Sequence, residues 1–186
     1  MKKGQVLQGT VAYVDFPNKG VVKVEEGKQV IVKNVLPGQE ISFSVNKVRK
    51  GKGEGRLLEV LKKAPNELPE APCPHFGICG GCTYQNLSYE DQLALKGQQV
   101  KKLMDAVVDP EIYSFEGVKA SPNEFGFRNK MEFTFGDEYK DAPLALGMHK
   151  RGSFYDIVTV DQCQIVDPDF RKVLSAVLTW GQENDI

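Results

Sequence analysis

The sequence predicts an α+β chain, in which a five-stranded barrel of the OB type precedes a small α/β domain. Two observations predict the barrel. Residues 4–62 hold five short β-branched runs separated by Gly and Pro turns, and no stretch there has helical period. A third observation predicts the second domain: two segments of helical period flank three strand-like runs between residues 88 and 178.

The first strand is Val6 to Val14, followed by turn residues Phe16-Pro17-Asn18-Lys19-Gly20. Val21-Val22-Lys23-Val24 is the second, and Glu25-Glu26-Gly27 a tight turn after it. Val30-Ile31-Val32 is the third. Leu36-Pro37-Gly38-Gln39 has Pro second and Gly third, the type II preference. Ile41 to Val45 alternates strictly, with Val48 beyond it. Lys47 to Gly55 reads as a Gly/Lys/Arg loop, and Leu57 to Leu61 closes the unit. Ala64 to Pro72 has three prolines in nine residues and reads as a linker. The expected domains are therefore 1–63 and 73–186, joined by 64–72.

Beyond the linker, Ser88 opens a helix, with Asp91 completing a capping box. Tyr89, Leu93, Val100, Leu103 and Val107 recur at helical spacing until Asp109-Pro110. Residues 127–136, 143–149 and 154–160 read as strands, and Ala145 to Tyr155 as a hairpin. Asp167-Pro168 starts a second helix with an acidic N-cap and Pro at its first position. Phe170, Val173, Leu174, Val177 and Leu178 form its apolar face. Both helical faces are expected in the core, as is Phe43; Tyr13 and Phe16 are either core or base-stacking residues.

Composition narrows the function. With 41% hydrophobic and 26% charged residues, a disordered chain is excluded. No apolar run approaches 18 residues, so a membrane partner is not expected. The start, Met1-Lys2-Lys3-Gly4-Gln5, leads into no apolar signal segment, which makes the cytoplasm the expected compartment. The net charge of −1 hides an asymmetry: residues 1–63 hold 13 Lys/Arg against six Asp/Glu, and residues 64–186 hold 11 against 19. A basic small domain is an ordinary footprint of nucleic-acid binding, though also of a merely soluble surface.

The four cysteines form one constellation. Cys73, Cys79 and Cys82 are spaced C-x5-C-x2-C, and Cys163 follows 81 positions later. In a reducing compartment, clustered cysteines favour metal over disulfide. Gly77, Gly80 and Gly81 relieve the steric cost of a loop that turns several thiolates inward. Structural zinc usually uses two separated C-x2-C pairs, whereas three-plus-one is more typical of a four-iron cluster; both metals stay open on spacing alone. His75 is read as a loop residue, since the cysteines already number four.

These residues carry a resemblance. Cys73-Pro-His-Phe-Gly-Ile-Cys79-Gly-Gly-Cys82, followed by Tyr84-Gln85 and by Tyr89, Gln92 and Lys96, resembles the iron–sulfur segment of bacterial RNA (uracil-C5)-methyltransferases, the 23S rRNA enzymes in particular. Phe127 to Phe133 is similar to that family's central motif, and the barrel resembles a TRAM domain, an OB-like RNA-binding module. The resemblance implies a 4Fe-4S cluster on Cys73, Cys79, Cys82 and Cys163. It also implies a C-terminal domain that binds S-adenosylmethionine and carries a cysteine attacking uracil C6, to give 5-methyluridine in RNA. This sequence has no Gly-rich cofactor-binding unit and no fifth cysteine. It is therefore expected to be an inactive N-terminal fragment, with no catalytic residue of its own and monomeric.

Lys47, Arg49, Lys50, Lys52 and Arg56 are the candidate phosphate contacts on the barrel, set against the alternative of a solvated loop. By resemblance, Arg128 and Lys130, at a strand start, face substrate RNA; the alternative is an edge strand guarded by charge. His149, Lys150 and Arg151 at the hairpin tip are further candidates. Competing readings are a stand-alone metal-containing RNA-binding module, a tRNA uracil-C5 methyltransferase fragment, and an electron-transfer protein. The basic barrel and the lack of a second cluster motif count against the last.

Overall fold

A computed structural model describes residues 1–24, 27–49 and 51–186. They form two compact units: residues 1–67 with 90–119, and residues 68–89 with 120–186.

In the first unit, β1 (Val6–Asp15), β2 (Lys19–Lys23), β3 (Gln29–Val32), β4 (Glu40–Arg49) and β5 (Lys52–Lys62) close a barrel in the order β1-β2-β3-β5-β4. All neighbours are antiparallel except β3 and β5, which run parallel. The OB-like barrel read from the sequence is thus the fold observed. Alternation sets its inside: Ile41, Phe43 and Val45 are completely buried and pack with Val11, Val22, Val30 and Val32. Register shifts between Val11 and Tyr13, and along β4 and β5, supply the bends that closure needs. At Leu36 to Gln39 the Gln39 N–H donates to the Leu36 carbonyl and Gly38 has φ +87°, as a type II turn requires. The expected turn at Glu25-Glu26-Gly27 lies partly outside the described residues.

Three readings of this region are corrected. Lys47 to Gly55 is no loop: β4 and β5 continue through it as a hairpin, pairing Lys47 with Glu54 and Arg49 with Lys52. Two of the glycines that suggested a loop, Gly53 and Gly55, are there for packing. A Cβ on Gly55 would sit 2.9 Å from the Phe43 ring and 3.2 Å from the Ser44 carbonyl. The segment 64–72 is not a free spacer at its start. Ala64 is buried, and the Glu67 carboxylate accepts from both the Ala64 N–H (3.1 Å) and the buried Gln39 side chain (2.8 Å). Helix α1 (Tyr89–Asp105) does not bury its predicted face. Leu95, Gly97 and Gln99 are buried, whereas Val100, Leu103 and Val107 are exposed. Residues 90–119 belong to the barrel's unit although they follow the proline-rich segment, and the Gln99 side chain donates to the Val14 carbonyl (3.2 Å). A polar side chain reaching a strand carbonyl leaves no trace in hydrophobic periodicity.

In the second unit, β6 (Thr134–Asp137), β7 (Leu144–His149) and β8 (Ile157–Thr159) form an antiparallel sheet, and α2 (Pro168–Glu183) packs against it through Phe170, Leu174 and Leu178. Val173 and Val177, assigned to the same face by period, are exposed. Asp167 caps α2 by accepting from the Asp169 N–H at 2.9 Å, with Pro168 at the first position, as read from sequence. Residues 127–133 form no strand: an isolated bridge pairs Arg128 with Val166, the Arg128 N–H donates to the Ile165 carbonyl (2.9 Å), and Met131 and Phe133 pack on the core of this unit. Among the described residues no helix is long and apolar enough to cross a membrane.

Candidate metal centre and nucleic-acid interface

The site starts from a loop that has to reverse direction within ten residues. The Phe76 N–H donates to the Cys73 carbonyl (3.0 Å), and the Cys79 N–H to the His75 carbonyl (2.9 Å). Gly77, at φ +90°, takes the left-handed position between them. The turn then docks on the β7–β8 hairpin: the Gly80 N–H donates to the His149 carbonyl (2.9 Å), and the Arg151 N–H to the Ile78 carbonyl (2.6 Å). The His75 ring ties the loop to the segment after β8. Its Nε2 accepts from the Gln162 N–H at 3.2 Å, next to Cys163, so it serves as a strut.

Cys73, Cys79, Cys82 and Cys163 line one pocket with Phe76, Met131, Met148, Val160 and Ile165. All four are free thiols; Cys73 and Cys163 are buried, Cys79 and Cys82 partly so. Two donors address the sulfurs: the Gly81 N–H to Cys79 Sγ (3.3 Å) and the Gln85 Nε2 to Cys82 Sγ (3.2 Å). Burial pushes the Cys82 thiol up to about 11, helped by the neighbouring Cys163, Cys73 and Cys79 and opposed by Gln85. Cys79 is raised as well, mainly by burial. Among the described residues, no three His, Cys, Asp or Glu side chains approach closely enough to hold a metal ion between them. The sulfurs ring the pocket rather than meet at a point. In chemistry the donor set fits a four-thiolate centre: four soft sulfurs, apolar walls and no carboxylate in the lining.

Arg151, read as a hairpin-tip candidate for RNA contact, instead turns inward. Its guanidinium donates to the Cys82 carbonyl and lies 5.3 Å over the Phe76 ring. Burial pulls its pKa down, while Cys79 and Cys82 oppose the shift. Hairpin position alone carried no signal that this side chain would fold back over the cysteine loop.

The candidate RNA contacts fall in two places. Lys47, Arg49, Lys52 and Arg56 are exposed on the β4–β5 hairpin, and Lys50 lies outside the described residues. Arg49 and Lys52 stand directly opposite each other beside its tip, where Gly51 has φ +78°. Two like charges side by side repel, so this pairing concentrates positive potential. Arg128 and Lys130 line a recess with Met131, Glu132 and Met148, and Lys130 makes an exposed ion pair with Glu132 at 2.9 Å. Tyr13 and Phe16 are partly and well exposed, respectively, and Lys102 lies 4.2 Å over the Tyr13 ring while pairing with Asp15.

No family model matches the chain. It is 44% identical over its whole length to an uncharacterized RNA methyltransferase of Caldanaerobacter subterraneus, and 37% and 40% identical to those of Clostridium tetani and Clostridium acetobutylicum. The chain spans about 40% of the length of each of these relatives. Among solved structures it is similar to Pyrococcus abyssi tRNA (uracil-54, C5)-methyltransferase in complex with S-adenosyl-L-homocysteine. There the TM-score is 0.63 at 23% identity, covering 96% of this chain and 37% of that one, a likeness of fold.

Proposed function

We propose that this chain is the RNA-binding and cluster-bearing part of an S-adenosylmethionine-dependent RNA (uracil-C5)-methyltransferase acting on 23S rRNA to make 5-methyluridine. The observation that carries the proposal is the gathering of all four cysteines around one apolar pocket. In this reading Cys73, Cys79, Cys82 and Cys163 hold a 4Fe-4S cluster, which leaves no cysteine in the chain to act as nucleophile. Residues 1–63 serve as a TRAM-type module. Lys47, Arg49, Lys50, Lys52 and Arg56 grip phosphates, and Arg128 and Lys130 hold RNA near the base to be modified. The names of the relatives support RNA as substrate and methyl transfer as chemistry. A cytoplasmic, monomeric protein completes the proposal.

The pocket gives the chain's own residues a clear task. Four thiolate bonds would add to the His75, Gly80 and Arg151 hydrogen bonds and fasten the 73–82 loop to the sheet, as folding energy. Thiolate ligation would leave RNA recognition to the basic hairpin and the Arg128 recess. A tRNA substrate is the second reading, favoured by the tRNA specificity named for the fold neighbour.

The test is anaerobic reconstitution of the chain with iron and sulfide. The expected result is about four irons per chain and a brown absorbance, both lost in Cys79→Ala together with the order of residues 73–90. Unchanged iron content in that variant would reject the assignment. Methyl transfer by a polypeptide of the relatives' full length, assayed on unmodified 23S rRNA and on tRNA, separates the two substrates. The 186-residue chain alone should bind RNA and transfer nothing.

A further inference from the structure

A thiolate-ligated cluster is net negative, and an apolar pocket is a costly place for negative charge unless donors face it. The walls supplied by Met131, Met148, Val160 and Ile165 offer none. Two side chains outside the cysteine set do. Gln85, itself buried, points Nε2 at Cys82 Sγ (3.2 Å), and its Oε1 has no hydrogen-bond partner among the described residues. Only the sulfur side of that amide is satisfied, so the unpaired oxygen is a cost that a stronger bond from Nε2 to a charged sulfur would offset. Arg151 is half-buried, with its guanidinium fixed by the Cys82 carbonyl and the Phe76 face, and it is electrostatically coupled to Cys79 and Cys82.

We propose that Gln85 and Arg151 are positioning residues that set the charge balance of the four-cysteine centre: Gln85 by hydrogen-bonding the Cys82 sulfur, Arg151 as its half-buried counter-cation. The inference rests on the cluster reading above. Both groups favour the more negative, reduced form, because added charge strengthens the sulfur hydrogen bond and the attraction to the guanidinium. Removing either makes the reduced form harder to reach.

The experiment compares wild type, Gln85→Leu, Arg151→Lys and Arg151→Leu, each as the full chain reconstituted anaerobically. Iron content, the midpoint potential of the one-electron couple and the melting temperature of the metal-free chain are measured. Gln85→Leu should keep its iron, and the metal-free chain should melt no lower than wild type, since an orphaned amide oxygen has gone. Its oxidised-to-reduced ratio at a fixed potential should still rise about tenfold, a fall of about 59 mV. Arg151→Leu should shift the couple in the same direction, and Arg151→Lys should restore most of it. Iron-loaded variants with the wild-type potential would overturn the inference and leave the cluster reading standing. A wild-type chain that takes up no iron would overturn both.

Discussion

Gln39 is a polar side chain only 2% exposed, and both ends of its amide are engaged. Oε1 accepts from the Leu36 N–H and Nε2 donates to Glu67, both at 2.8 Å. Gln39→Ala would leave the turn N–H and the Glu67 carboxylate short of a partner inside the protein. A loss of about 1–3 kcal/mol in denaturant unfolding is expected. Cys82 gives a pH dependence for the metal-free chain. Its folded pKa is raised from 9.0 to about 11, so the folded state holds the proton more tightly than the unfolded one. The stability tied to the neutral thiol is complete below pH 9 and is lost as pH climbs through 11. Melting temperature should fall across that window, and fall less in Cys82→Ala. Such residue-scale facts were the least legible in the sequence. Phe43 was recognisable as core because strand alternation marks it. Gln39, Gln99 and Arg151 were not, because a buried polar partner is chosen by a three-dimensional neighbour and has no period.

At the scale of elements, sequence rules worked where local chemistry decides. Asp167-Pro168 capped α2 as its residue types require, and Asp167→Ala should cost about 1 kcal/mol of stability, with loss of helical signal at the start of α2. The rules failed where glycine had two meanings. A Gly/Lys/Arg run reads as a loop, yet Gly55 sits in a strand because Phe43 and the Ser44 carbonyl leave no space for a side chain. The difference matters for function. A paired hairpin holds Arg49 and Lys52 opposite each other, so in the proposed role RNA would meet the two charges side by side. Arg49→Ala should weaken RNA binding about equally across sequences. The slope of log affinity against log salt should fall by roughly 0.7–0.9, the value of one phosphate contact. An unchanged slope in filter-binding titrations would remove Arg49 from the interface. Helical period erred in the same manner, marking Val100, Leu103 and Val173 as core. Repeats of 3.6 report that a stripe is apolar, and packing alone reports what lies opposite it.

On the scale of the whole molecule, the barrel class, the β7–β8 hairpin and the grouping of the cysteines were legible, since each depends on spacing and residue type. How the chain partitions was not. The prolines of 64–72 suggested a clean break, whereas the first unit takes back residues 90–119 after the cysteine loop. Contacts, not composition, decide which segment belongs to which core.

The placement of the fourth thiol has a consequence for biosynthesis. Three sulfurs leave the ribosome nearly together, and Cys163 trails Cys82 by 81 residues, roughly 4–16 s at ordinary elongation speeds of about 5–20 residues per second. During that delay the nascent chain displays an incomplete set of ligands, and for most of it neither β7 nor β8 has been made to receive them. Any inorganic guest that needs all four sulfurs must therefore be delivered after Cys163 has been made.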